Sequence, residues 1–441
     1  MRFTRPVAFL AALICLTSRS IYGQASGEPE LVLTLDEVIH RAEVNEPSYA
    51  AATAASHLAK LDRNIARATL LPTVNFHNQG VYTQPIRSSS HTVVSDSSPR
   101  FAASNDVREY ISQGIVNESF SLGLLGDLRK IDAAAIQAAA EQEIAHRGLV
   151  ATITDMFFGE LATVEHAAIA KRAHDEAADF LNLTQKREQA REAAHADVVK
   201  AQLDEQQRAR ELEDAGLAAE NARLQLGVLL FPDPTTPYRL AEEVFPVLSS
   251  RTEIEQAAAK NNPEMKSALA LVAQSNADVL TARSAYLPTI GINYTYGIDA
   301  PQFAVNGSNQ TRNLGYSVGM SVDLPVWDWL STQHKIKQSE IRRDVARVAL
   351  SATQRQLIAR LNEAYAEASV AQHQLASLDS SVSTAEESLR LTRMRYTGGE
   401  ATVLEVVDAQ SALVVAENSR EDGRVRYCMA FANLQTLTGK M

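Results

Sequence analysis

Cysteine, aromatic rings and surplus basic charge are all scarce in this chain, and each shortage removes a class of function. The sequence holds two cysteines. Cys15 sits inside an N-terminal apolar run and follows Ile14 rather than a small residue, which argues against a lipid-anchored cysteine. That leaves Cys428, and one thiol makes neither an internal disulfide nor a cysteine-based zinc site; it reads as a small residue packed between helices. Aromatics are 6% of the 441 residues, while alanine is abundant. Alanine favours helix and adds little burial, so long helices are expected in place of one large core. Lysine and arginine total 42 against 53 acidic residues, a net charge of −11. A protein that neutralises phosphates needs a basic surface, so no nucleic acid is expected as a partner. Catalytic signatures are missing too: no His-Glu-x-x-His and no phosphate-cradling glycine loop. His146, His166, His174 and His195 share no ligand spacing and read as solvated helix-face residues. Neither enzyme activity, a metal nor a cofactor is expected.

Beyond residue 25 no apolar run has the length of a membrane-spanning helix, so a membrane would be met at its surface or by a β-barrel. Before it, Arg2 and Arg5 precede an apolar stretch at 7–16, with small residues at Gly23 and Ala25. This reads as a signal peptide, 1–25, cut after Ala25 or alternatively after Gly23. Its removal takes three arginines and leaves a net charge of −14.

The remainder is written twice. Thr34-Leu-Asp-Glu37 matches Ser250-Arg-Thr-Glu253, Asn45-Glu-Pro47 matches Asn261-Asn-Pro263, and Leu70-Leu-Pro-Thr73 matches Tyr286-Leu-Pro-Thr289, all at an offset of 216. Leu183-Thr184 with Arg187 matches Leu391-Thr392 with Arg395, and Val198-Val199 matches Val406-Val407, at an offset of 208. The first repeat covers 26–230 and the second 250–441, joined by a linker at 231–249 with four prolines. Thr34 and Ser250 with their following glutamates read as capping boxes opening helices over 35–70 and 251–286.

Alternation then takes over. Ile290, Ile292, Tyr294, Tyr296 and Ile298 interleave with small or polar residues, as do Leu314, Tyr316, Val318, Met320 and Val322. Period two predicts strands at about 289–299 and 314–325, and more weakly at about 73–84 and 111–122, where Asn78 and Glu118 break the pattern. Each has the length of a tilted membrane strand, and Trp327, Trp329 and Tyr286 stand just outside strand ends as an aromatic girdle would. The loops at 85–110 and 300–313 are expected outside the cell.

Long helices follow each strand pair. No proline falls between Gly126 and Phe231, and neither proline nor glycine between Val326 and Thr397. Leu375, Leu378, Val382, Ala385 and Leu389 trace a coiled-coil seam, and Gly398-Gly399 folds the chain back into a hairpin. The expected fold is therefore mainly α with a β-barrel part. Four strands cannot close a barrel whose smallest form needs about eight, so several chains must pool them, and three copies give twelve.

The duplicated Asn-x-Pro and Leu-Pro-Thr pattern, Leu324-Pro-Val-Trp-Asp328, and the run from Arg395-Tyr-Thr-Gly-Gly through Glu405-Val-Val-Asp-Ala-Gln410 resemble the outer-membrane efflux protein (TolC-like) family. The resemblance implies a homotrimer in the outer membrane of a Gram-negative-type cell, in contact with its lipid. It implies a 12-stranded barrel continued by an α-helical tunnel, docked to a periplasmic adaptor and an inner-membrane pump. It implies adaptor-contacting tips near 188–195 and 396–403, with Arg187, Arg191, Arg395, Tyr396, Gly398, Gly399, Glu400 and Thr402 at the contact. Gly399 matches the family's tip glycine, whereas the first copy has Arg191 there. Glu405 and Asp408 stand where the family places its periplasmic gate. The function implied is a passive efflux or type I secretion conduit; the alternative is a periplasmic coiled-coil adaptor or structural protein without a pore.

Overall fold

The computed structural model describes residues 31–82, 108–241, 248–307 and 312–439. The signal segment 1–25, most of the 85–110 loop and part of the linker lie outside the described residues. In chain order the elements are β1 (Leu31–Leu33), α1 (Leu35–Asn45), α2 (Pro47–Ala68), β2 (Thr73–Tyr82), β3 (Arg108–Phe120), α3 (Leu122–Gln189) and α4 (His195–Leu230). They continue with β4 (Tyr238–Leu240), α5 (Arg251–Asn261), α6 (Pro263–Ser284), β5 (Thr289–Ala300), β6 (Leu314–Asp323), α7 (Ser331–Thr397) and α8 (Val403–Thr438).

The expected helices over 35–70 and 251–286 are each broken in two, because the residue before a proline is driven out of helical ψ. Glu46 takes ψ 115° and Asn262 ψ 122°, and Pro47 and Pro263 then open α2 and α6. The Asn45 amide uses the break: its Nδ2 donates to the Leu229 and Leu230 carbonyls, each at 3.2 Å, and so caps the end of α4. The expected capping boxes are only partly realised. Thr34 accepts from the Glu37 N–H at 3.4 Å, but the Ser250 side chain makes no cap bond.

Helices α3 and α7 have 68 and 67 residues, on the order of 100 Å each. Along α3, α2 and α6 cover the end nearer the strands, through Arg63–Asp132 (2.7 Å) and Lys130–Asp278 (2.8 Å). The other end packs on α4 and α8, through His174–Glu205 (3.5 Å) and Arg172–Glu417 (3.1 Å). Along α7 the buried residues Leu361, Ala368, Ala371, Val382, Leu389 and Tyr396 form a stripe at helical spacing. Leu378 reaches into the space that a side chain on Gly423 would fill.

The four longer strands form one antiparallel sheet in the order β2-β3-β5-β6. Directly opposed residues share a face, so the register sorts the sheet. One face carries Val74 and Phe76, Val116, Ile292, Tyr294 and Tyr296, then Tyr316, Val318 and Met320. The other carries Asn117, Asn293 and Thr295 with Gly319, Ser321 and other mostly small or polar residues, among which Ile111, Ile115 and Val81 also fall. The interruption at Asn78 is met by its neighbour: it is opposed to Ser112, whose hydroxyl donates to Asn78 Oδ1 at 2.7 Å. Among the described residues β2 and β6 have no strand on their outer edges.

Midway, β1 and β4 pair in parallel over a cluster of Leu33, Val38, Leu149, Ile153, Phe157, Leu226 and Tyr238. Glu160, 4% exposed, lies under it. The Tyr238 hydroxyl is 2.7 Å from Glu160 Oε2 and 2.8 Å from the Arg223 carbonyl. One hydroxyl hydrogen cannot serve both acceptors, whereas a protonated Glu160 donates to Tyr238 and frees it to donate to Arg223. Burial pushes the Glu160 carboxyl above its ordinary range, against the Tyr238 hydrogen bond and the Arg223 charge, which pull it down. For a carboxyl raised in the fold, the favourable contribution is complete below the unfolded pKa and fades as pH rises through the folded one. Glu160→Gln, neutral throughout, should therefore raise the thermal midpoint at pH 8 and leave it unchanged near pH 4; equal shifts at both pH values would contradict this.

Candidate functional site at the hairpin tips

Both hairpins turn by the same backbone device. At the α7–α8 tip, Gly399 has φ 81°, its N–H donates to the Tyr396 carbonyl (3.1 Å), and the Glu400 N–H donates to the Arg395 carbonyl (2.8 Å). At the α3–α4 tip, Arg191 has φ 62°, its N–H donates to Glu188 and that of Glu192 to Arg187, both at 2.8 Å. Each is a Schellman ending. Arg191 thus adopts the left-handed backbone of Gly399 despite its Cβ.

Beneath the tips the two hairpins clasp each other. Tyr396, from α7, is 5% exposed and packs edge-on against Phe180 of α3, with ring centroids 5.1 Å apart. Its hydroxyl donates to Thr184 Oγ1 at 3.3 Å. The Arg187 guanidinium covers the same ring at 4.8 Å, and its Nη1 donates to the Tyr396 carbonyl. Val403, Val406 and Ala201 complete the cluster. Tyr396 and Arg187, expected as contact residues, are therefore turned inward as braces. Arg191, Gly398, Gly399 and Glu400 remain on the surface.

Glu405 and Asp408 do not stand alike. Thr402 and Glu405 form the capping box that the sequence reading missed: the Thr402 N–H donates to Glu405 Oε1 (3.2 Å) and the Glu405 N–H to Thr402 Oγ1 (3.3 Å). Arg395 adds an ion pair at 3.3 Å and bonds the Glu400 carbonyl at 3.1 Å. The Thr402 N–H and hydroxyl, with the Arg395 charge, hold the Glu405 carboxyl below its ordinary range. Asp408 is exposed and makes no hydrogen bond or ion pair among the described residues. At the offset of 208, the first copy has Asp197 and Lys200 in these places, so the paired carboxylates belong to one hairpin.

Three of the four histidines are less solvated than expected, while His195 is exposed. His146 meets Glu43 at 2.7 Å, His166 meets Asp422 at 3.3 Å and His174 meets Glu205 at 3.5 Å, each joining α3 to another helix. His195 meets Glu188 across the first tip at 2.8 Å. Among the described residues no group of three or more metal-ligating side chains could hold an ion. At the far end of the molecule, Trp327 and Trp329 are 70% and 84% exposed, and Tyr286 is exposed beside the start of β5.

Residues 254–440 match the family model described as outer membrane efflux protein. Across those residues, the second repeat, the chain is similar to that family. The chain is 23% identical to the alkaline protease secretion protein AprF of Pseudomonas aeruginosa, across 93% of this chain and 85% of the relative. It is 24% identical to the pyoverdine export outer membrane protein OpmQ of the same organism, across 94% and 86%. Its fold matches the Campylobacter jejuni CmeC outer membrane channel with a TM-score of 0.76 at 17% identity, covering 92% of this chain and 85% of that one.

The tip geometry makes two predictions. Arg191→Gly should stabilise the protein by about 1 kcal/mol and Gly399→Ala should destabilise it by about as much, since only glycine holds a left-handed turn without strain; thermal unfolding of the two variants checks the opposite signs. A lowered carboxyl stabilises the fold above its unfolded pKa and loses that contribution as pH falls through the folded value. Amide protection at the second tip, taken relative to intrinsic exchange, should therefore fall on acidification below about pH 4, and Glu405→Gln should lose that change in protection.

Proposed function

We propose that this protein is an outer membrane efflux protein that works as a passive trimeric conduit from periplasm to exterior, three copies pooling their strands into one 12-stranded barrel and their hairpins into a tunnel. The observation that carries the reading is the sheet: a largely apolar face left exposed, interrupted by Asn78, Ser112 and Glu118, and two edges unpaired among the described residues, joined to helices far longer than a compact domain needs. Hydrocarbon accepts the face but not the edges, because each unpaired N–H or C=O there costs several kcal/mol. Closing the sheet with other copies satisfies both. The polar face of Asn, Thr, Ser and Gly then lines water, and Trp327, Trp329 and Tyr286 lie at the membrane boundary.

In this reading the exposed tip residues Arg191, Arg395, Gly398, Gly399, Glu400 and Thr402 meet a periplasmic adaptor, and an inner-membrane pump supplies energy and selects cargo. AprF and OpmQ are named for a protease and for pyoverdine, cargoes of unlike size, which suits a conduit whose selectivity lies in its pump. Asp408, with its carboxylate unengaged, forms a ring at the mouth that attracts cations. Glu405 contributes chiefly by holding the tip.

Planar bilayers test this. The purified protein should be a heat-modifiable trimer that needs detergent and conducts ions. A protein released from the outer membrane by mild extraction, with no conductance, would instead be the pore-less adaptor. Asp408→Ala should weaken cation block from the periplasmic side without lowering the thermal midpoint, whereas Glu405→Ala should lower the midpoint too; unchanged conductance in both would remove the gate assignment. Tyr396→Ala should cost about 3–5 kcal/mol of tip packing and raise conductance, because it unclasps the hairpins.

A further inference from the structure

The two hairpin tips turn alike but present unlike charge. From 182 to 200 every carboxylate is engaged within the chain: Glu188 meets His195 at 2.8 Å, Glu192 meets Arg187 at 3.6 Å, and Asp197 Oδ2 accepts from the Ala194 N–H at 3.3 Å. Lys186, Arg191 and Lys200 are exposed, and their side chains make no hydrogen bond or ion pair among the described residues. The second tip is the reverse. Its cations are taken, for Arg390 meets Glu387 at 2.6 Å, Arg393 lies within electrostatic reach of Glu176, and Arg395 meets Glu405 at 3.3 Å. Glu400 and Asp408 are exposed, with carboxylates unengaged among the described residues.

A lone solvated charge needs no partner, but these three share one tip of a chain that is acidic overall. Two of them also stand where local structure does not ask for them. Arg191 holds φ 62° to make the turn that Gly399 makes with the same pair of backbone bonds, and its side chain adds no contact within the chain. Lys186 suits the last turn of α3, where a cation meets the negative end of the helix, but Lys200 stands on the second turn of α4, toward the positive end, and gains nothing there. Nor does this charge bind the two tips together. Tyr396 and Arg187 clasp them, yet Arg191 and Glu400 do not pair. Arg191 lies in the turn between α3 and α4, where the hairpin ends, so what its charge meets lies beyond the chain.

We propose that the first tip is a cationic contact for carboxylates on the docking end of the periplasmic adaptor, with Lys186, Arg191 and Lys200 supplying the charge, and that the second tip does not share it, so the tips around an assembly alternate between unlike contacts. The proposal rests on the conduit reading, which supplies the adaptor, and adds the chemistry of the surface that reaches this tip.

Decaglutamate, blocked at both ends, is the probe, titrated by calorimetry into the full protein in detergent. The variant carrying Lys186→Gln, Arg191→Gln and Lys200→Gln should bind it about tenfold more weakly, and binding to the unaltered protein should fall about as much when salt rises from ~0.05 M to ~0.5 M. Lys171→Gln, an exposed cation farther up α3, should leave it unchanged. Arg191→Gly should melt at a higher temperature yet bind about threefold more weakly, whereas a merely structural role would move neither affinity nor its salt dependence. Equal binding by the unaltered protein and the triple variant, or no binding to a preparation that conducts, overturns the cationic contact and leaves the conduit standing. A triple variant whose trimer dissociates, with no decaglutamate bound by the unaltered protein, assigns the cations to pairing between copies and likewise overturns it. A preparation that neither forms trimers nor conducts overturns the conduit reading, and the contact with it.

Discussion

Backbone hydrogen bonding along the outer edges of β2 and β6 is the constraint on which the rest of this molecule depends. In water such edges are tolerable; in hydrocarbon they are not. The apolar face spread across all strands of the sheet calls for hydrocarbon, so sheet and membrane are compatible only if another strand meets each edge. Everything below the sheet follows from that demand. In the proposed assembly, helices leaving strands of a shared barrel are set side by side around one axis, and their length carries the enclosure away from the membrane.

The two copies within the chain use this plan unequally. Asn45 caps the first long hairpin with its amide, while at the equivalent place in the second copy the backbone carbonyl of Asn261 accepts from Arg147, which also bonds the Thr436 carbonyl at 2.9 Å and so holds the end of α8. Gly399 makes the second tip without strain and Arg191 makes the first with it. Such asymmetries concentrate at helix ends and turns, where backbone groups lack helical partners and side chains must supply them. The same places bear the residues suited to meeting partners: the tips at one end and the exposed tryptophans at the other.

Much of this was legible in the sequence, because local rules leave local traces. Alternation at Ile290–Ile298 marks a strand whatever surrounds it, and Gly398-Gly399 marks a turn. The splitting of the helices at Glu46 and Asn262 was also written there, in the prolines that follow, although the apolar pattern running through them masked it. What stayed hidden depends on contacts between distant positions. Tyr396 and Thr184 lie 212 residues apart and meet only because two hairpins lie together. Glu160 and Tyr238, 78 apart, meet only at the waist. The engagement of Glu405 in a cap was readable from Thr402, but the acidic pair with Asp408 drew attention to charge instead.

Amide hydrogen exchange in the lipid-embedded protein tests the central claim most directly, read at those N–H groups of β2 and β6 for which no strand of the same chain offers an acceptor. If neighbouring copies close the sheet, these amides should be protected as strongly as those of β3 and β5. Rapid exchange at alternate residues of β2 and β6, with β3 and β5 protected, would contradict the account.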